Sequence, residues 1–396
     1  MDSGSITWVL ISALLVWIMS PGLALFYAGL GGPKNRLHTI GTSLILMGVA
    51  SIIWFLLGYT LAFGGGNDWL GNLKFWGLNQ ISFSHSTRGL TIPDGLFAIF
   101  QGMFPIITVI IIIGSVIGRI RLRSLIVFIS LWLLVVYSPL AHMVWDNGFL
   151  AKLGAIDFAG GTVVHISSGV TGLVLAYLIG PRRDQSYEKI YSPYIFVGGF
   201  LLWFGWFGFN AGSALAANDQ AILALMNTWL ASAAALLPGA WMSYRLRGHL
   251  LLADLVTAGL SGLVVITPAA GFVHPWAAIV MGAIAGVVGI YSITLIKRHF
   301  GYDDTLDAFG IHGIGGTLGA ILTGVFADKS LGNAGGLVNG HWELLGQQLI
   351  AIVITLLLVV VGTVLLAGIT RLLVGPLRVS EDDETIGLDL RLHLQK

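Results

Sequence analysis

The sequence predicts an all-α protein that crosses a membrane many times. Three observations carry this. Of 396 residues, 56% are hydrophobic and only 10% charged, where a soluble domain is about 25% charged. Apolar runs of the roughly 20 residues a spanning helix needs recur along the chain. Lysine and arginine gather in every second connection, the mark of cytoplasmic loops. Length alone would otherwise allow two or three soluble domains.

Eleven runs qualify, at about 6–30, 38–63, 95–118, 124–142, 158–180, 193–216, 221–244, 252–270, 276–296, 305–327 and 344–373. The first follows "MDSGSITWVL", which has no basic leader and no small-residue cleavage site. It is read as a retained span, not a cleaved signal. An odd count puts the termini on opposite sides. Lys34 and Arg36 follow the first span; Arg119, Arg121 and Arg123 the third; Arg182, Arg183 and Lys189 the fifth. Arg245 and Arg247 follow the seventh, and Lys297 and Arg298 the ninth. The tail adds Arg371, Arg378, Arg391 and Lys396, against only Lys74, Arg88, Lys152 and Lys329 on the other side. The N-terminus is therefore expected outside and the C-terminus in the cytoplasm. Two longer loops, 64–94 and 328–343, fall outside. Residues 1–375 form the membrane domain. Residues 376–396 form a charged cytoplasmic tail, either a solvated end or a partner-binding segment.

Composition also excludes. A net charge of +1 and the lack of a basic run argue against nucleic acid as a partner. With no cysteine there is no disulfide, no thiol catalysis and no thiolate metal site.

The spans repeat. "FYAG" (26–29) in the first is echoed by "FNAG" (209–212) in the sixth. His165 with Gly169 and Gly172 in the fifth is echoed by His312 with Gly316 and Gly319 in the tenth. Both echoes are five spans apart. An odd-length repeat must enter upside down the second time, and inverted repeats place the working site near the bilayer midplane where the two halves meet. The halves run from about 6–180 and 193–327, with the helix at 344–373 added.

The two histidines are the candidate centre. If the fifth span is helical, His165 lies roughly 12 Å inward of Asp157. His312 lies about 10 Å along a helix starting near Thr305. In a core about 30 Å thick, both approach the midplane from opposite faces. Ionisable groups inside spans are costly and usually line a pathway. Two neutral imidazoles share one N–H···N bond and offer a proton relay. The plainer alternative is two separate buried histidines, each bonded to a backbone carbonyl. A metal site is not expected, because no Asp, Glu or Cys stands within a turn of either.

"DFAGGTVVHISSGVTGLVLAYLIGPR", "PGLALFYAGL", "FQGMFPIITV", "FNAGSALAAN", "ITPAAGFVHP" and "DAFGIHGIGGTLGAILTGVFA" resemble, in order and without a large gap, the Amt/Mep/Rh ammonium transporters. The resemblance runs from about residue 6 to 390 and implies a multi-pass transporter of the plasma (bacterial inner) membrane that is not an enzyme and holds no cofactor. It implies ammonium binding in an outer vestibule against Trp145 and Ser213, with Phe104 at its floor. Phe104 and Phe209 would gate the pore, His165 and His312 line it, and Asp157 supply the acid needed for transport. The vestibule Trp and Ser point to the Amt branch. Members form homotrimers with one pore per subunit.

Each role has a plainer rival. Trp145 suits an interfacial belt, Phe104 and Phe209 ordinary packing, and Ser213 a helix crossing. Asp157 suits a helix N-cap, and Asp307 has a similar capping reading. Two departures stand out. The turn "VIGRIRLRS" lacks the acid that relatives carry there. The tail keeps "GLDL" but lacks the His-Gly-Glu ending, which puts regulation by a PII-type protein in question. The competing function is an ammonium sensor of the same fold with little flux, against which stands the lack of an output domain after residue 396. A metalloenzyme at the histidine pair is a third class.

Overall fold

A computed structural model describes residues 1–183 and 190–393. Lys189 and Lys396, counted above among the cytoplasmic charges, lie outside the described residues. So do the residues that close the tail after His393.

The helices are α1 (Ser3–Leu30), α2 (Arg36–Phe63), α3 (Asp94–Ile113), α4 (Leu122–Leu153), α5 (Gly161–Ile179), α6 (Ser192–Gly212), α7 (Asp219–Arg247), α8 (Leu252–Ile266), α9 (Pro275–Phe300), α10 (Phe309–Phe326) and α11 (Glu343–Val374). Ten of these are long and apolar enough to cross a membrane. The run expected as one span at 252–270 is instead a helix of 15 residues followed by turns. No strand occurs among the described residues, which makes an all-helical, multi-pass membrane architecture.

Local chemistry sets the ends. Asp2 opens α1 by accepting from the Ser5 amide at 2.7 Å. Asn218 opens α7 in the same way, and α7 closes at Gly248, with Arg245 and Arg247 in its last turn facing the negative end of the helix dipole. Burial then sorts the bundle. The most apolar stretch of α3 is 89% buried against other helices, whereas that of α11, the most hydrophobic span, is only 39% buried. So α3 is central, and α11 turns most of its surface outward, as expected for a lipid-facing helix.

The halves meet along small residues. α1 and α6 run antiparallel. A Cβ on Gly22 would meet Leu201 at 2.8 Å, and one on Gly212 would meet Ser12 at 2.5 Å. α5 and α10 also cross closely. A Cβ on Gly169 would lie 2.2 Å from the Gly313 nitrogen; one on Gly316 would lie 2.8 Å from the Gly161 carbonyl. Gly169 thus presses α5 onto the first turn of α10, and Gly316 presses α10 onto the first turn of α5.

The tail is docked on its own chain. Two short helices, α12 (Glu381–Ile386) and α13 (Leu388–His393), lie against the ends of α2 and α5. The Asp389 carboxylate accepts from the amides of Leu37 and His38 at 3.0 and 2.7 Å, capping α2 from 352 and 351 residues away in sequence. Arg378 grips Glu384 and the carbonyls of Ile179 and Pro181. The turn without an acid is held otherwise. Arg119 reaches Asp303 at 2.5 Å, and the turn backbone pairs with the tail through Arg121 N to Leu377 O (2.8 Å) and Val379 N to Arg119 O (3.0 Å).

Candidate functional site

The site is built where α5 and α10 begin. Gly160 sits at φ 117°, in the left-handed region that favours glycine, and turns the chain into α5. Just before it, the Asp157 carboxylate accepts from the amides of Gly160 (2.8 Å), Gly161 (2.7 Å) and Thr162 (2.8 Å), and from the Thr162 hydroxyl (2.5 Å). It satisfies the amides that a helix start leaves unpaired. The carboxylate is spent on the start of its own helix. The first six residues, Gly161–Ile166, form a π-helical turn that ends one residue past His165.

α10 copies this. Phe309–Ile314 is again π-helical and carries His312. The acid that opens it is Asp304, which accepts from the Phe309 amide at 2.7 Å and is fully buried. Asp307, expected as the cap, instead takes φ 61° and pairs with Lys297 at 2.6 Å. The expected start near Thr305 therefore moves to Phe309, because Thr305 and Leu306 are tied by their amides to the carbonyls of Ser115 and Gly114. Both histidines lie in the first turn of their helices, so the depths reckoned from a long helical rise do not hold. What holds is the equivalence: each histidine follows its capping aspartate by eight residues.

The imidazoles face each other. Nδ1 of His165 and Nδ1 of His312 are 3.2 Å apart, and the ring centroids 5.1 Å. One hydrogen fits between two such nitrogens, so one ring donates and the other accepts. Nε2 of His165 is buried with no partner among the described residues. The ring stacks on Trp206 at 5.4 Å and Phe209 at 6.0 Å. Trp206 is fixed by its Nε1–H to the Thr267 hydroxyl at 2.9 Å. The pair borders a narrow, almost wholly apolar cavity lined also by Leu23, Phe26, Ile107, Ile111, Leu202 and Leu260. Two nitrogens fall short of the three or four protein ligands of a zinc site, and no third His, Asp or Glu joins them among the described residues.

On one side of the pair the cavity is closed by rings. Phe104 packs on Phe209 at 4.6 Å between centroids, and Phe104 and Trp145 meet in a T-shaped pair at 5.8 Å. Trp145 is steadied by its Nε1–H to the Asp157 carbonyl at 2.9 Å. Ser213 donates its hydroxyl hydrogen to the Phe209 carbonyl at 2.8 Å, which leaves the oxygen lone pairs free to accept. All seven residues singled out in the sequence are thus linked in one chain of contacts. Asp304 and Trp206 were missed. The first was legible in the repeated Asp-x7-His spacing; the second had no signal beyond one more tryptophan in an apolar run.

Residues 7–396 match the model of the Ammonium Transporter Family. The chain is 45% identical to an ammonium transporter of Bacillus subtilis over 100% of its own length and 98% of the relative's. It is 42% identical to ammonium transporter Amt1 of Archaeoglobus fulgidus, over 99% and 98%. Its fold is similar to the crystal structure of Saccharomyces cerevisiae Mep2, with a TM-score of 0.90 and 35% identity over 96% of this chain and 88% of that one.

Proposed function

Because the chain belongs to the ammonium transporter family, we propose that it takes up ammonium by capturing the ion outside and passing ammonia inward. The observation that carries this reading is the facing histidine pair in a narrow apolar cavity beneath stacked phenyl rings. Trp145 offers an indole face, a cation–π surface worth about 0.5–2 kcal/mol. Ser213 accepts a hydrogen bond, which ammonium donates and potassium cannot. Below these groups a bare monovalent ion would lose its hydration with nothing to replace it, at high cost. Giving up a proton makes the passenger neutral. Ammonia then slips past Phe104 and Phe209 and meets His165 and His312, whose ring nitrogens hydrogen-bond it in transit. The proton travels separately along the imidazoles.

The same reading has the N-terminus outside, the docked tail in the cytoplasm, a homotrimer with one pore per subunit, and the plasma membrane as its place. No covalent chemistry is asked of the site. The deciding measurement is the current from purified protein in a supported bilayer after an ammonium jump. Saturable current that excess potassium does not suppress supports transport. Tight ammonium binding without current would overturn it in favour of a sensor.

A further inference from the structure

Helix α2 ends next to the vestibule, and its last four carbonyls need donors. Two receive them from the backbone: Thr60 O from the Gly64 amide and Leu61 O from the Gly71 amide, each at 2.8 Å. The other two receive them from side chains. Phe63 O is held by the Arg88 guanidinium. Ala62 O faces Nδ1 of His142 at 3.0 Å. The opposite nitrogen of that ring, Nε2, faces the Asn67 carbonyl at 2.7 Å.

His142 is therefore wedged between two oxygens that only accept. A neutral imidazole carries one N–H and one bare nitrogen. In either tautomer a lone pair would point at a lone pair, in a residue that is 2% exposed. Only the imidazolium donates to both. The surroundings suit a cation: the negative end of the α2 dipole, and the Asp146 carboxylate at 3.4 Å from Nδ1. Asp146 also binds Arg88 at 2.7 Å and the Gly65 amide at 3.1 Å. Beyond Asp146, Arg88 stands beside Tyr59 of α2, and Asp94, at the start of α3, acts on Tyr59. The remaining charges nearby, Asp68 and Lys152, pair with each other in solvent.

We infer that His142 is a fixed imidazolium that clamps the end of α2 and loop 64–72 to α4, and that it is a positioning residue for Trp145. Trp145 lies one turn further along the same helix and is the last residue before the break at 146–148. The clamp on His142 and Asp146 brackets it. When pH rises far enough to remove one imidazolium proton, either Ala62 or Asn67 loses its donor. The helix end that carries the indole then loosens. This rests on the transport reading only for its effect on ammonium.

Two measurements test it. In membrane-embedded protein with 15N-labelled histidine, nuclear magnetic resonance at neutral pH counts protons on the ring that disappears in H142Q or, if that variant does not fold, in H142N. Two protonated nitrogens are expected; one bare nitrogen overturns the assignment. Ammonium current is then compared across alkaline pH at matched ammonium-ion concentration. Wild type should lose apparent affinity as pH rises, by up to about tenfold, the worth of one anchoring hydrogen bond. The neutral variant should start at that weaker value and stay flat. Equal slopes in both would overturn the positioning role. A doubly protonated ring in a protein that passes no current would leave the clamp standing and overturn transport instead.

Discussion

One hydrogen bond joins Trp145 to Asp157, from the indole N–H to the backbone carbonyl, yet the two side chains are expected to fail differently. Trp145→Leu removes the indole face and keeps an apolar wall. It should weaken selection of ammonium over potassium by about two- to thirtyfold, the range of one cation–π contact. Ammonium current under excess potassium reads this, and unchanged inhibition would remove Trp145 from the recruitment site. Asp157→Ala strips the acceptor from four amides and a hydroxyl in a residue that is 8% exposed. A buried donor left unpaired costs about 1–3 kcal/mol, so several together should abolish the folded, transporting protein. Asp157→Asn keeps one oxygen to cap the helix and should retain part of both. Thermal unfolding in detergent, run beside the current, separates the two variants. If alanine melts and conducts like wild type, the cap is dispensable.

Packing between α5 and α10 is set by glycine, and the two helices give the sharpest test of the element scale. A methyl group at Gly169 would sit 2.2 Å from the Gly313 nitrogen, so Gly169→Ala must push the crossing apart. Gly346 on α11 has no neighbour within 4 Å, and Gly346→Ala should if anything stabilise its helix, by about 0.5–1 kcal/mol. Opposite shifts in melting temperature are expected; a neutral Gly169→Ala would mean the crossing has slack. The same elements show what the sequence makes legible. The place of ten spans follows from apolar runs, because a lipid-facing or helix-packed span admits little else. Where α10 begins does not, since Thr305 and Leu306 are withheld from the helix by carbonyls of the distant turn at 114–115. Asp389 looks like a solvated tail acid until the fold brings it to the start of α2. The cap of α10 was legible and overlooked: the Asp-x7-His spacing names Asp304, while mere nearness to the helix start suggested Asp307.

At the scale of the whole molecule, the two halves of the chain meet in one pair of rings. Residues 165 and 312 are 147 positions apart, and among the described residues each imidazole finds its ring-nitrogen partner in the other half. That the two histidines meet was readable because that arrangement leaves a signature in each half; which of their nitrogens meet was not. With Nδ1 against Nδ1 at 3.2 Å, the outer nitrogens, Nε2 on each ring, are left to the cavity and the rings around it. If the shared hydrogen bond is what orders the rings, then losing either one disorders the other. His165→Ala and His312→Ala should each alter ammonium flux or admit potassium. The double variant should add little to either single one. Contacting residues commonly show coupling of about 0.5–3 kcal/mol, enough to read as a several-fold departure from multiplicative losses. The experiment compares ammonium and potassium currents in the two singles and the double, normalised to protein in the bilayer. Losses that multiply independently would mean each histidine serves alone, and the relay between the two halves of the molecule would have to be abandoned.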